Sequence, residues 1–184
     1  MIGQTETRII GFCGQTGAGK TSVVRELAHL LGGEVVSFGS YVRAEALRCG
    51  KEIDRLTLQT FGQNLIDEYG YERFVQQALP SSRLEQNVLI LLDGVRHVDI
   101  WQAVQRLLPQ SMLIYLHCDE EQRIERLLTR EHLSLSAVQS ILQHPMDQNI
   151  VLLRSLANLI VLSTELERTV SEIIDVLRQK HFIN

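Results

Sequence analysis

Gly14-Gln15-Thr16-Gly17-Ala18-Gly19-Lys20-Thr21 fits the pattern G-x-x-x-x-G-K-[ST] at every defined position. Glycines in such a loop let the backbone curl until successive N–H groups converge on phosphate oxygens. Lys20 then supplies a point charge to the β and γ phosphates of a nucleoside triphosphate, and Thr21 a hydroxyl for Mg²⁺. The flanks suit the loop. Arg8-Ile9-Ile10-Gly11-Phe12-Cys13 upstream is a short apolar run, and residues 23–31 downstream carry helical spacing that stops at Gly32-Gly33. Strand, loop and helix follow in the order a phosphate cradle requires. The expected ATP-binding set is Gly14, Gln15, Thr16, Gly17, Ala18, Gly19, Lys20, Thr21 and Ser22.

The chain has 184 residues, 45% of them hydrophobic, enough for one sizeable core and the expectation of a single α/β domain over 1–184. A net charge of −4 and a pI near 5.9 argue against a nucleic-acid groove, although eighteen basic residues remain for local phosphate sites. Cys13, Cys49 and Cys118 are far apart with no C-x-x-C spacing, so buried thiols are expected rather than disulfides or a metal site. Residues 1–7 lack a basic-then-apolar signal pattern, and no apolar run reaches the ~18 residues of a membrane span. The expectation is a cytoplasmic protein with small-molecule nucleotide substrates and no membrane or nucleic-acid partner. Monomer, homodimer and a protein partner all stay open.

Further strands are expected at residues 34–37, 87–92, 111–116 and 158–162, most of them near-continuous apolar runs. Such runs mark strands covered on both faces, hence a three-layer fold with a five-stranded parallel sheet. Between the second and third strands, residues 38–86 greatly exceed the dozen or so that a crossover needs. They carry helical patterns at 41–49, 58–69 and 71–79, read as a helical acceptor-binding insertion. Later helices are expected at 120–131, 146–157 and 165–182. A short lid connects them over 131–145, with Ser134 or Ser136 as a cap.

Leu89-Ile90-Leu91-Leu92-Asp93 is an apolar strand ending in a carboxylate. Ligands gather at the carboxyl ends of parallel strands, so Asp93 is expected opposite the loop, holding the Mg²⁺ shell or orienting the attacking oxygen. Arg43 follows the second strand and Arg96 the third. Two guanidinium forks there suit a dianionic phosphate on the acceptor. Arg126 and Arg130, four apart on one helix, are expected to stack on adenine and clasp the transferring phosphoryl group. The catalytic set is therefore Lys20, Asp93, Arg96 and Arg130, with Thr21 and Asp93 for the metal. His97, His117, His132 and His144 show no ligand spacing.

With these residues placed, the chain resembles P-loop kinases of the nucleoside monophosphate kinase group over nearly its whole length. Ser37-Phe38-Gly39-Ser40-Tyr41-Val42-Arg43-Ala44 is similar to the S-T-G-D-x-L-R-A stretch of adenylate kinases, which implies acceptor-phosphate binding by Arg43, with Ser40 in place of the acidic residue. Asp93-Gly94-Val95-Arg96 resembles their D-G-F-P-R, and more nearly the D-G-I-R of archaeal relatives and the D-V-R of phage-type deoxynucleotide monophosphate kinases. Residues 55–63 resemble the R-x-L-L-Q-x-L-G-T segment of those phage enzymes, implying that Arg55 and Gln59 lie near the acceptor base. Glu125-Arg126-Leu127-Leu128-Thr129-Arg130 is similar to the E-R-L-x-x-R of adenylate kinases. The C-terminal third, from His144-Pro145-Met146 onward, instead resembles dephospho-coenzyme A kinases. Their acidic dipeptide after the second strand is absent, and Ser140 stands where a lid arginine would fall.

The resemblance implies transfer of the γ-phosphoryl of ATP to a nucleoside or deoxynucleoside monophosphate, with acceptor residues Ser40, Arg43, Arg55, Gln59 and Arg96. Two alternatives remain: a kinase of dephospho-coenzyme A or another small metabolite, and a nucleotide-binding switch with weak ATPase activity.

Overall fold

The structure, a computed structural model, describes residues 7–79, 88–130, 134–143 and 150–183; the side chains of Arg55, Leu56 and Arg130 also fall outside that description. β1 (Arg8–Cys13) leads through the glycine loop into α1 (Lys20–Leu31), then come β2 (Glu34–Ser37), α2 (Phe38–Arg48) and α3 (Arg55–Ala78). β3 (Leu89–Asp93), α4 (Val98–Leu107), β4 (Ser111–His117), α5 (Glu120–Arg130) and α6 (Leu135–Leu142) follow. A 3₁₀ helix (Ile150–Leu156), β5 (Leu159–Leu162) and α7 (Leu166–Gln179) complete the described elements.

All four strand pairings are parallel, in the order β2-β3-β1-β4-β5. The expected five-stranded parallel sheet is present, and its central β1 is wholly apolar and buried from Ile9 to Cys13. One core cluster joins the sheet to α2, α3 and α4 through Phe38, Leu65, Phe74, Ile100 and Trp101. The other joins it to α1 and α7 through Val24, Leu27, Val170 and Ile173. Two covered faces explain why the strands read as unbroken apolar runs. Trp101 is fully buried over Gly11, where any Cβ would collide with the indole.

Several boundaries differ from expectation for physical reasons. α2 starts at Phe38 instead of residue 41, because Ser37 ends β2 and also caps the helix, its hydroxyl accepting from the Ser40 N–H at 3.3 Å. The patterns expected at 58–69 and 71–79 are two helices divided at Gly70, as the sequence implied, since its φ of 76° and ψ of 163° are non-helical; the start differs, at Arg55 rather than residue 58. Ile150–Leu156 is 3₁₀ where part of an α-helix was expected, and residues 144–149 lie outside the described part. β5 begins one residue late, yet Asn158 still pairs with Leu113, donating its N–H to the carbonyl and accepting through Oδ1, both at 2.8 Å. Ser134 is the cap of α6, accepting from Ala137 N–H at 3.3 Å. Among the described residues no helix is long and apolar enough to cross a membrane. Cys13 and Cys118 are buried and Cys49 exposed, all as free thiols. Burial pushes the Cys13 thiol up to about 12 against the opposing pull of Lys20, so it is an inert packing group.

Candidate active site

The glycine loop closes over the carboxyl end of β1. Gly14, Gly17 and Gly19 have φ of 141°, 85° and 82°, which side chains with a Cβ rarely adopt. Gly14 has a second constraint, because a Cβ there would strike the Leu116 carbonyl oxygen of β4. Ala18 N–H donates to the Gln15 carbonyl at 3.1 Å, tightening the turn, and Gly19 opens α1 in the left-handed conformation. Lys20 Nζ donates to the Gly14 and Gln15 carbonyls at 2.7 and 2.9 Å. The loop therefore meets incoming anions with a helix N-terminus and an ammonium held close by.

Asp93 stands where expected, in register with Phe12 of β1 and Ser37 of β2. Its Oδ2 accepts from Thr21 Oγ1 at 2.9 Å. No group of three or more His, Cys, Asp or Glu side chains with metal-ligand placement occurs among the described residues. One hydroxyl beside one carboxylate fits Mg²⁺, which takes few protein ligands and completes its shell with water and phosphate oxygens.

A cavity of about 730 Å³ runs from the loop into the insertion. That volume lies in the range of small-ligand sites. Thr16, Gly17, Gly19, Lys20, Thr21 and Ser22 line its loop end; Gly14 and Ala18 are buried behind it, and the Gln15 carbonyl accepts from Lys20. Ser40, Arg43, Gln59 and Arg96 line the end toward the insertion with Phe38, Val42 and Phe74. The expected set thus converges, apart from Arg55 and Arg130, whose side chains lie outside the described part. Among the described lining residues five are Lys or Arg and Asp93 is the single carboxylate. His97 also lines the cavity. Burial, helped by Arg96, lowers its pKa against the pull of Asp99, so it stays neutral near pH 7.

Sequence reasoning missed three groups. Arg25 lines the cavity one turn beyond Thr21 on α1, a position readable from i, i+4 spacing. Gln63 lines it one turn after Gln59, donating through Nε2 to Asp67 Oδ1 at 2.8 Å. Arg123 is 3% exposed and donates from Nε to the Thr16 carbonyl at 2.8 Å. Arg126 does line the cavity, and its guanidinium donates to the Ser163 hydroxyl and the Ser163 and Thr164 carbonyls at 3.1–3.3 Å.

Fold and loop together define an α/β P-loop protein. The sequence model of the AAA domain family matches residues 13–141, and the chain belongs to that family. It is 33% identical over 122 residues to a UPF0200 protein of Aeropyrum pernix, covering 66% of this chain and 64% of that protein. A UPF0200 protein of Methanothrix thermoacetophila is 32% identical over 123 residues, covering 67% and 66%. The chain therefore spans about two thirds of these curated relatives. Among solved structures, a gluconokinase from Sinorhizobium meliloti 1021 superposes with a TM-score of 0.59 at 16% identity, covering 96% of this chain and 94% of the other. Shikimate kinase from Acinetobacter baumannii, in complex with shikimate, gives 0.57 at 17%, covering 95% and 94%. These likenesses establish the P-loop kinase fold; the nucleoside monophosphate kinase group is a finer assignment.

Proposed function

We propose that this chain is a Mg²⁺-dependent phosphotransferase that moves the γ-phosphoryl group of ATP onto the phosphate of a nucleoside or deoxynucleoside monophosphate. The observation carrying this reading is the charge inventory of one continuous cavity, in which Arg43 and Arg96 line the end proposed for the acceptor and Asp93, the single carboxylate among the described lining residues, is hydrogen-bonded to Thr21. A hydroxyl acceptor must lose its proton as it attacks and gains from a carboxylate base. A phosphate oxygen is already anionic and needs only cations to hold it. Among the described lining residues, five cations against one carboxylate favour the phosphate acceptor.

In this reading an oxygen of the acceptor phosphate attacks the γ-phosphorus of ATP, the bond from that phosphorus to the β–γ bridging oxygen breaks, and ADP and a nucleoside diphosphate leave. Lys20 and the loop amides grip the β and γ phosphates, and Arg43 and Arg96 fix the attacking phosphate. Arg130 completes the charge clamp from the end of α5. Thr21 and Asp93 would hold Mg²⁺, which offsets charge on the transferring group when bound. Phe38, Val42 and Phe74 give the nucleoside an apolar wall, with Gln59 and Arg55 near its base. Residues 1–184 act as one unit, with 38–86 as the acceptor-binding insertion and 131–145 as a short lid.

A coupled assay with ATP and a panel of ribo- and deoxyribonucleoside monophosphates tests the proposal. Turnover of at least one monophosphate to its diphosphate is the expected result. Turnover only of hydroxyl acceptors, dephospho-coenzyme A included, would replace the proposal with the metabolite-kinase alternative. ATP binding without transfer to any acceptor would favour the switch.

A further inference from the structure

We propose that Arg123 and Arg126 are positioning residues of the nucleotide loop, holding two consecutive loop carbonyls so that the loop amides stay turned toward the phosphates. The inference rests on the nucleotide-binding part of the proposed function and on no particular acceptor.

Arg123 is nearly fully buried, and a guanidinium removed from water is retained only where hydrogen bonds offset its desolvation. Its Nε donates to the Thr16 carbonyl at 2.8 Å. No cis peptide occurs among the described residues, so the planar Thr16–Gly17 peptide points its N–H away from the carbonyl that Arg123 holds. Gly17 lines the nucleotide cavity. Fixing the carbonyl on one side thereby fixes an anion-binding donor on the other. The loop lies hard against α5 at this point, since a Cβ on Gly17 would sit 3.0 Å from the Arg123 carbonyl oxygen.

Arg126 lies three residues on, along the same face of α5. It makes a long contact of 3.5 Å with the Gly17 carbonyl and ties the loop to Ser163 and Thr164 after β5. That segment is itself anchored, with Ser163 N–H donating to the His117 carbonyl at 2.6 Å. Released, either loop carbonyl could turn its negative end toward the triphosphate. α5 also carries α6 through Leu127, Val138 and Ile141. One helix thus joins the lid region to the geometry of the phosphate grip.

Titration calorimetry with Mg·ADP on wild type, Arg123→Ala and Arg123→Lys tests this, with melting curves of the nucleotide-free proteins and the Gly17 amide resonance followed during titration. Arg123→Ala is expected to bind at least tenfold more weakly and to lose the Gly17 shift. Arg123→Lys, whose ammonium reaches the same carbonyl, is expected to recover most of both. A folded Arg123→Ala protein that binds within twofold of wild type overturns the inference. So does equal loss in both variants in step with their melting temperatures, which marks a plain structural strut. Wild-type protein that binds no Mg·ADP would instead overturn the nucleotide reading itself.

Discussion

Replacement of Lys20 by alanine is expected to lower phosphoryl transfer by about 10²–10³-fold, the usual cost of removing one well-placed group that stabilises transition-state charge. Lys20 Nζ now rests on the Gly14 and Gln15 carbonyls, which keeps the ammonium at the mouth of the loop on a flexible four-carbon stem. Exchanging those carbonyls for β and γ oxygens requires only stem rotation. Among the described lining residues no other cation belongs to the loop motif, since Arg25 lies further along α1, Arg43 on α2, Arg96 after β3 and Arg126 on α5. The fold should tolerate the change, because Lys20 is half-buried at the rim of the core. Turnover at saturating ATP and acceptor, with melting temperature as control, measures the effect. Unchanged turnover would remove Lys20 from the chemistry.

Arg43→Ala and Arg96→Ala are each expected to raise the acceptor's Michaelis constant about ten- to hundredfold while leaving that of ATP within a factor of two. Hydrogen bonds to a charged group contribute about 1.5–3 kcal/mol, and each 1.4 kcal/mol is a factor of ten. Both side chains are exposed and line the insertion end of the cavity, so neither substitution opens the core. If they hold the same phosphate, the effect of the double variant should depart from the product of the two single effects, as it does for coupled neighbours. Initial rates with both substrates varied give all four constants. An acceptor constant that does not move in either variant would assign the arginines elsewhere.

Much of this architecture was legible because it rests on local rules. The loop pattern, the apolar run ahead of it and the helical spacing behind it each specify one element, and β1, α1 and Asp93 stand where those rules put them. Unbroken apolar strands correctly implied a sheet covered on both faces. The failures are tertiary in origin. Ser37 serves strand and cap at once, which moved the start of α2, and no local pattern distinguishes that dual use. The division at Gly70, by contrast, was legible, because a glycine between two helical patterns is a local signal. Arg126 was legible through E-R-L-x-x-R, yet its ties to Ser163 and Thr164 depend on a segment 37 residues away. Arg123 lay three residues from a recognised arginine, and only burial against Thr16 distinguishes it from a solvated helix residue.

The most direct test of the phosphate grip is a crystal structure of the protein soaked with Mg²⁺ and a non-hydrolysable ATP analogue. The account predicts Lys20 Nζ released from the Gly14 and Gln15 carbonyls and bonded to β and γ oxygens, with Thr21 and Asp93 beside the metal. An empty loop, with Lys20 still on its two carbonyls or turned to solvent at saturating analogue, would contradict it.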